Sequence, residues 1–488
     1  MSVVDVFYKS LFVIVAGAST ALAFSPFNLF LLSLVGPVVL YFVTRDTATR
    51  VVVLFFGLFS VSFYLSGAHW IFIPLIKKSN SNFISLLLFT LFIAVLVLHF
   101  SFFGYIYSVL SRLFRFYPIL FGLAWGGIEL SREFIFSGFP WLSIGFSWVD
   151  SPFSSLLGFL GVWGVSVFLV VFSVFTINCL VHGNIVQAAW AGMIFIIIYS
   201  VSELSISRIY YDQKIKVAMI QPGILSDEKD DNRFYERTHD LIMRSEEFIG
   251  FDIIVWPETA LPRYGKVRSL MDPFRKTLNS NRTALLSGFV YRGNVGFETV
   301  SHNSIGLFSM GDSVYHKVKL IEIFEKKPKN QLIKNWLKSF GFNNDFRKSD
   351  TNIEYFNVAG LNIAPFICYE IAFTIYSHDA YSESDLIVNV VNDGWFNNTI
   401  EPYQHLQIAR ARALESGRWI IRSANDGVSA FIEPNGNIYA SLGRDHPGAL
   451  MADIHLYRDN NLYSTFGFLN ILLVLVFFVF IIWFFKLE

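Results

Sequence analysis

The chain has 488 residues, a formal net charge of zero and only 16% charged residues, so nothing in its charge points to nucleic acid. Hydrophobic residues make up 53%, and 14 of the 76 charged side chains lie before residue 205, which excludes an ordinary soluble protein and divides the chain into a membrane part and a water-soluble part. The two cysteines, Cys179 and Cys368, exclude a disulfide framework and a cysteine zinc cluster.

The membrane part comes first. Uncharged runs cover Ser10–Thr44, Val51–Ile76, Ser79–Ser111, Phe116–Ile128 and Ser151–Ser202, with a last one at Asn460–Phe485. A spanning helix needs about 20 apolar residues. Ser25-Pro26 breaks the first run into two helices, and His182-Gly183-Asn184 divides the fifth. Phe116–Ile128 continues towards Phe139. The pattern predicts seven spans before the soluble part and one after it, eight in all. Basic residues set the orientation. With the N-terminus inside, cytoplasmic loops hold Lys9, Arg45, Arg50, Arg112, Arg115 and Lys486, and short outer loops hold Lys77, Lys78 and Arg132. That bias places the soluble part outside the cytoplasm. Glu129, Arg132 and Glu133 border a span and read either as paired or functional charges at membrane depth or as residues just past a helix end.

Charge density rises near Ser205–Lys214. The expected domains are residues 1–204, residues 205–460 and a closing span at 461–488. The soluble part alternates strand-like and helix-like segments. Strands are expected at Val217–Gln221, Ile253–Trp256, Ala284–Phe289, Asn303–Phe308, Asn362–Ile367, Leu386–Val391, Trp419–Ser423 and Ser429–Glu433. Helices are expected at Arg233–Ile249, Arg268–Leu278 and Tyr403–Ser416. This is an α/β arrangement of sheets covered by helices.

Three chemistry-bearing residues end apolar strand-like runs. Glu258 closes Ile253-Ile254-Val255-Trp256-Pro257, Lys317 follows Tyr315-His316, and Cys368 closes Ile363-Ala364-Pro365-Phe366-Ile367. A thiol attacks a carbonyl, a carboxylate takes its proton, and an ammonium stabilises the oxyanion. Lys319 is a second lysine that these residues alone do not exclude. His405 and His69 have no metal-ligand partners at suitable spacing, and neither reads as a ligand. No metal and no cofactor is expected.

Trp256-Pro257-Glu258, Lys317 and Cys368-Tyr369-Glu370, spaced 59 and 51 positions apart, resemble the Glu-Lys-Cys triad of the nitrilase (carbon–nitrogen hydrolase) superfamily. With the membrane part, the chain resembles the bacterial apolipoprotein N-acyltransferase family. Ala23-Phe24-Ser25-Pro26-Phe27, Gly138-Phe139-Pro140-Trp141-Leu142, Asn392-Asp393-Gly394-Trp395-Phe396 and the stretch from His405 to Ala413 carry that resemblance further. It implies a four-layer αββα domain and selects Lys317 over Lys319. It implies that Glu258, Lys317 and Cys368 are catalytic, with Glu325, Tyr369, Glu370 and Trp395 supporting the site or binding substrate. The implied reaction moves an acyl chain from a phospholipid through a Cys368 thioester to the α-amine of a diacylglyceryl-cysteine apolipoprotein. The implied setting is a multi-pass protein of the inner membrane, a monomer with its catalytic domain in the periplasm. The alternative is a membrane-tethered amide hydrolase in which water accepts the acyl group.

Two departures stand out. The family's Leu-Val-Pro-Phe-Gly-Glu after the lysine is Leu320-Ile321-Glu322-Ile323-Phe324-Glu325 here, which keeps the glutamate and loses Pro and Gly. Asp230 follows Lys229 where the family tends to have tryptophan. Finally, Lys326–Lys348 holds seven basic residues and one acidic, with Trp336, Leu337, Phe340 and Phe342 interleaved, and reads as an interfacial amphipathic segment.

Overall fold

The computed structural model describes residues 2–114, 117–224, 233–262, 264–295, 298–350, 353–381, 383–444, 446–470, 472 and 476. The chain forms two compact units. One comprises Met1–Ile76, Ser81–Ser207 and Asn461–Glu488, and the other Lys77–Asn80 and Arg208–Asn460.

The first unit is helical. Among the described residues, five helices are long and apolar enough to cross a membrane: Val3–Ala21, Thr49–Gly67, Asn82–Leu113, Leu156–Val181 and Ile185–Leu204. They mark a membrane protein. Two further expected spans form shorter helices, Leu32–Thr44 of 13 residues and Tyr117–Ser131 of 15. Leu32–Thr44 starts late because a turn with buried Phe24 and Ser25 occupies the preceding residues. The eighth expected span falls mostly outside the described residues. The long apolar run divides where expected, since one helix ends at Val181 and the next begins at Ile185. Small residues bring helices together: a Cβ on Gly17 would stand 2.6 Å from Phe59 O. Glu129, Arg132 and Glu133 are buried. Arg132 donates to Tyr64 Oη at 2.7 Å and to Ser143 Oγ at 3.1 Å, while Glu129 accepts from Trp125 Nε1 and the Ile144 N–H, both at 2.9 Å. These charges are held by partners inside the helical unit.

The second unit is built on twelve strands. They are β1 (Ser207–Gln221), β2 (Ile253–Leu261), β3 (Ala284–Val295), β4 (Glu298–Leu307), β5 (Val314–His316), β6 (Phe356–Val358), β7 (Leu361–Ile367), β8 (Leu386–Val391), β9 (Trp419–Ala424), β10 (Ser429–Ile432), β11 (Ile438–Leu442) and β12 (Gly448–Asn460). Two six-stranded sheets result, ordered β12-β1-β2-β3-β4-β5 and β11-β10-β9-β8-β7-β6. Each has a parallel trio, β1-β2-β3 or β7-β8-β9, and antiparallel pairing joins β4 to β3, β6 to β7 and β10 to β9.

Strand periodicity explains the layering. Along β1 and β2, Val217, Met219, Ile253 and Val255 face a core shared with Ile363, Val388, Ile421 and Phe431 of the other sheet. Ala218, Ile220, Ile254 and Trp256 point the other way, against helices Phe234–Ser245 and Tyr264–Ser280. Helix Glu401–Ser416 packs on β9 and on the Cys368–Ala372 turn of the second sheet. This is the nitrilase-like sandwich of two sheets and covering helices. Sequence reading missed β6, β11 and β12. The amphipathic segment contains helix Gln331–Ser339, whose Leu332, Ile333 and Trp336 are exposed and whose Lys334 pairs with Asp345 at 2.6 Å.

Candidate active site

Glu258 stands on a bulge. Trp256 pairs with Ser287 and Leu261 with Phe289, so Pro257–Ala260 sit opposite the single residue Gly288. The bulge turns the carboxylate out of the ladder. It also brings the backbones so close that a Cβ on Gly288 would lie 2.6 Å from Glu258 Cα, and only glycine fits there. Asn303 of β4 donates to Glu258 Oε1 at 2.8 Å.

Lys317 is the residue after β5. Its N–H donates to Asn303 O and its carbonyl accepts from Ser349, which fixes the backbone on both sides. Its side chain is 1% exposed. The ammonium donates to Glu325 Oε1 at 2.8 Å and lies 3.6 Å from Glu258 Oε1. Burial alone would favour the neutral amine, but Glu325 and then Glu258 outweigh it and raise the lysine above its ordinary value. Lys319 instead places its ammonium over the Phe373 ring at 5.1 Å. Of the two lysines, Lys317 alone meets the carboxylate pair.

Glu325 arrives from a tight turn. Its N–H donates to Ile321 O, and its Oε2 accepts from the Ile321 N–H at 2.9 Å. Asn303 reaches Glu325 Oε1 at 3.1 Å, so one amide bridges both carboxylates. Without the family's Pro and Gly, the turn uses Ile323 at φ +71, a left-handed conformation that β-branched residues resist. The altered loop still delivers the glutamate to Lys317.

Cys368 ends β7 and opens the turn Cys368–Ala372. Its φ is +53, which costs a residue with a Cβ about 1–2 kcal/mol. The thiol is buried in the core between the sheets. Burial, then the Glu258 charge, push it well above the ordinary cysteine value, and Lys317 opposes them. Cys368 rests as a thiol, and it requires a base at the moment of attack.

Glu370 lies two residues on and is fully buried. It accepts from the N–H groups of Val318, Lys319 and Ile367 at 2.7, 3.0 and 2.9 Å, and from Tyr315 Oη. The sequence reading has it supporting the site or binding substrate. In the structure it bonds to backbone, stapling the strand end after Lys317 to the strand end before Cys368. Burial raises its carboxyl to about 7, against Lys317 and the backbone donors. Tyr369 packs edge-on against Phe373. Trp395, in the turn Asp393–Phe396, lies under Lys78 Nζ at 5.6 Å.

Sequence reading missed Asn303, Asn389, Asp393, His405 and Arg422 as parts of this site. A polar residue inside an otherwise apolar strand was the available signal for Asn389 and Arg422, whereas Asn303 sits among Ser301, His302 and Ser304 and nothing local singles it out. Among the described residues, Cys368, Asp393 and His405 form the one set of metal-ligand types, with donor atoms within 4.8 Å of one another. Both ring nitrogens of His405 already have partners, Asp393 Oδ1 at 3.0 Å and Cys368 O at 3.2 Å.

The arrangement puts a thiol on one sheet against a carboxylate and an ammonium on the other. It suits acyl transfer through a covalent intermediate. Residues 216–458 match the carbon-nitrogen hydrolase family, and residues 16–175 match the N-terminal domain of apolipoprotein N-acyltransferases. The apolipoprotein N-acyltransferase of Coxiella burnetii is 30% identical over 495 residues, covering 96% of this chain and all of that protein. That of Pseudomonas syringae is 29% identical over 463 residues, 91% of this chain and 90% of that one. Among solved structures, an amidase from Nesterenkonia sp. superposes with a TM-score of 0.36 at 16% identity, over 52% of this chain and 93% of that one.

Proposed function

The chain belongs to the apolipoprotein N-acyltransferase family, and on that premise we propose that it moves a fatty acyl chain from a phospholipid to the N-terminal amine of diacylglyceryl-modified apolipoproteins. The observation that carries the chemistry is the convergence of Glu258, Lys317 and Cys368 from two sheets.

Glu258 takes the Cys368 proton as Sγ attacks the ester carbonyl carbon of the phospholipid. The carbonyl oxygen gains the electron pair and is stabilised by the Lys317 ammonium. The intermediate collapses, the lysophospholipid oxygen leaves with the proton from Glu258, and a thioester remains. The α-amine of the second substrate then attacks the thioester carbon. Glu258 accepts the amine proton, the thiolate is expelled, and the proton returns to sulfur. Glu325 and Asn303 keep Lys317 charged and in place, and Glu370 holds the backbone flanking both strand ends. Tyr369 and Trp395 support the site or bind substrate.

Both substrates are lipid-anchored, which gives the apolar helices their use. The protein acts as a monomer of the bacterial inner membrane, with residues 1–204 and 461–488 as its membrane domain and residues 205–460 in the periplasm. Helix Gln331–Ser339, with its exposed Leu332, Ile333 and Trp336 beside lysines, faces the lipid surface.

Intact-mass measurement after exposure to phospholipid tests the reading. A hydroxylamine-labile acyl adduct on the protein, absent in Cys368→Ser and discharged by a diacylglyceryl peptide, is the expected result. Discharge by water at the same rate with and without the peptide would make it a hydrolase.

A further inference from the structure

The nucleophile's own carbonyl is held by two buried side chains that take no part in the proton transfers above. His405 Nε2 lies 3.2 Å from Cys368 O, and Asn389 Nδ2 lies 3.4 Å from the same oxygen. A carbonyl oxygen only accepts, so Nε2 carries a proton. Asn389 also donates to Phe366 O at 3.2 Å, which ties β7 to the turn that follows it.

Both donors are fixed from behind by one arginine. Arg422 donates to Asn389 Oδ1 at 2.6 Å and to Asp393 Oδ2 at 2.9 Å, and Asp393 Oδ1 meets His405 Nδ1 at 3.0 Å. The contacts close a ring: Arg422, Asp393, His405, Cys368 O, Asn389 and back to Arg422. None of these four side chains is more than 1% exposed, so water does not compete for any of the bonds. They come from β8, the turn after it, helix Glu401–Ser416 and β9.

A residue with a Cβ relaxes out of the left-handed region unless its flanking peptides are held. Cys368 stays at φ +53 with its carbonyl gripped from two directions. We propose that His405 and Asn389 are positioning residues: they clamp the Cys368 carbonyl, hold the nucleophile in its left-handed turn and so aim Sγ at the acyl carbon, with Arg422 and Asp393 fixing both donors. This rests on Cys368 being the nucleophile.

Two near-isosteric variants separate the clamp from a merely structural histidine. In His405→Gln the amide nitrogen takes the place of Nε2 and keeps the donor to Cys368 O. In His405→Asn it takes the place of Nδ1, keeps the Asp393 side and loses the carbonyl. The full-length protein in detergent, in a Cys179→Ala background, is assayed with phospholipid and a diacylglyceryl peptide, and Cys368 alkylation by iodoacetamide is followed against pH. His405→Asn should lower kcat about ten-fold or more with KM within about two-fold, and alkylation should slow across the pH range. His405→Gln should stay within about three-fold of the parent. Asn389→Ala should lose kcat similarly, and combining it with His405→Asn should cost less than the product of the two, because both act on one oxygen. Equal losses in Gln and Asn, a change confined to KM, or multiplicative losses would overturn the clamp. If His405→Asn does not fold, parental kcat in Asn389→Ala does the same. Turnover by Cys368→Ser would sink the nucleophile assignment itself, a different failure.

Discussion

Lys317 Nζ stands 2.8 Å from Glu325 Oε1, closer than its 3.6 Å to Glu258 Oε1. The lysine gives its short bond to the carboxylate on its own loop. Glu258 has a longer ion contact to the same ammonium and accepts from the Asn303 amide. Two chemically alike carboxylates are thereby given different work by distance alone.

Glu258→Gln should lower acyl transfer by about 10²–10⁴-fold, the usual loss of a positioned general base. The same change should shift the pH midpoint of Cys368 alkylation downward. After burial, the Glu258 charge is what holds the thiol up, and its removal leaves Lys317 as the nearest influence. An unmoved midpoint would mean that the carboxylate does not face the thiol.

Lys317→Met should destabilise the protein by about 3–5 kcal/mol, because Glu258 and Glu325 would remain buried with no cation between them. Adding Glu325→Gln should restore part of the thermal stability and none of the turnover. Restored activity in the double variant would show that the ammonium stabilises the fold and not the reaction.

Glu370 predicts a pH dependence. Its folded-state pKa, about 7, lies above the ordinary glutamate value of 4.5, so between those values the folded protein binds the extra proton. Stability from this group is therefore full at low pH and falls as pH rises from 4.5 to 7. The fall should approach about 3 kcal/mol at 1.36 kcal/mol per pH unit. Glu370→Gln, neutral throughout, should lack this slope in thermal shift measured against pH, even if it is less stable overall. Parallel profiles would assign the slope elsewhere.

Ile323→Gly should preserve activity and leave stability unchanged or raise it by about 1 kcal/mol, since glycine accepts φ +71 without strain. Ile323→Pro should do the opposite. Proline fixes φ near −65° and removes the N–H that donates to Lys326 O, so Glu325 would swing from Lys317 and turnover should drop at least about ten-fold. Equal activity in the two variants would free this turn from any role in the site.

The periplasmic placement predicts opposite reporter signals. An alkaline phosphatase fused after Lys214 should be active and one fused after Lys486 should not, with the reverse for a cytoplasmic fluorescent reporter. Same-side signals would mean that the number of crossings is other than eight.

Much of this was legible because the signals are local. The β8 bounds Leu386–Val391 follow from an apolar run broken only by Asn389 and bounded by turn residues, and Glu258, Lys317 and Cys368 each end a strand-like run. The strands β6 and β11, three and five residues long, are too short for periodicity to register, whereas β12 alternates buried Ala452, Ile454 and Leu456 with exposed Asp453 and His455, a signal the sequence reading passed over. The His405 ring was invisible for another reason. Its partners lie 12, 16, 17 and 37 positions away on separate elements, and no spacing rule links Asn389, Asp393, Arg422 and Cys368 before the sheet has formed. Glu370 was legible only as a residue supporting the site or binding substrate, because sequence does not show which backbone N–H groups a buried carboxylate will face.

The division of the site between two sheets has a consequence for the newborn chain. Glu258 and Lys317 belong to the first sheet and Cys368 to the second, more than fifty positions downstream of the lysine. Until the layers close on Val255, Leu286, Val388 and Ile421, the cysteine has neither base nor ammonium beside it. In the periplasmic placement proposed above, a half-folded molecule emerging across a lipid bilayer is surrounded by ester carbonyls, yet its thiol is an ordinary slow one. Reactivity switches on only with completion of the sandwich, so an immature copy does not label itself on the lipids through which it passes.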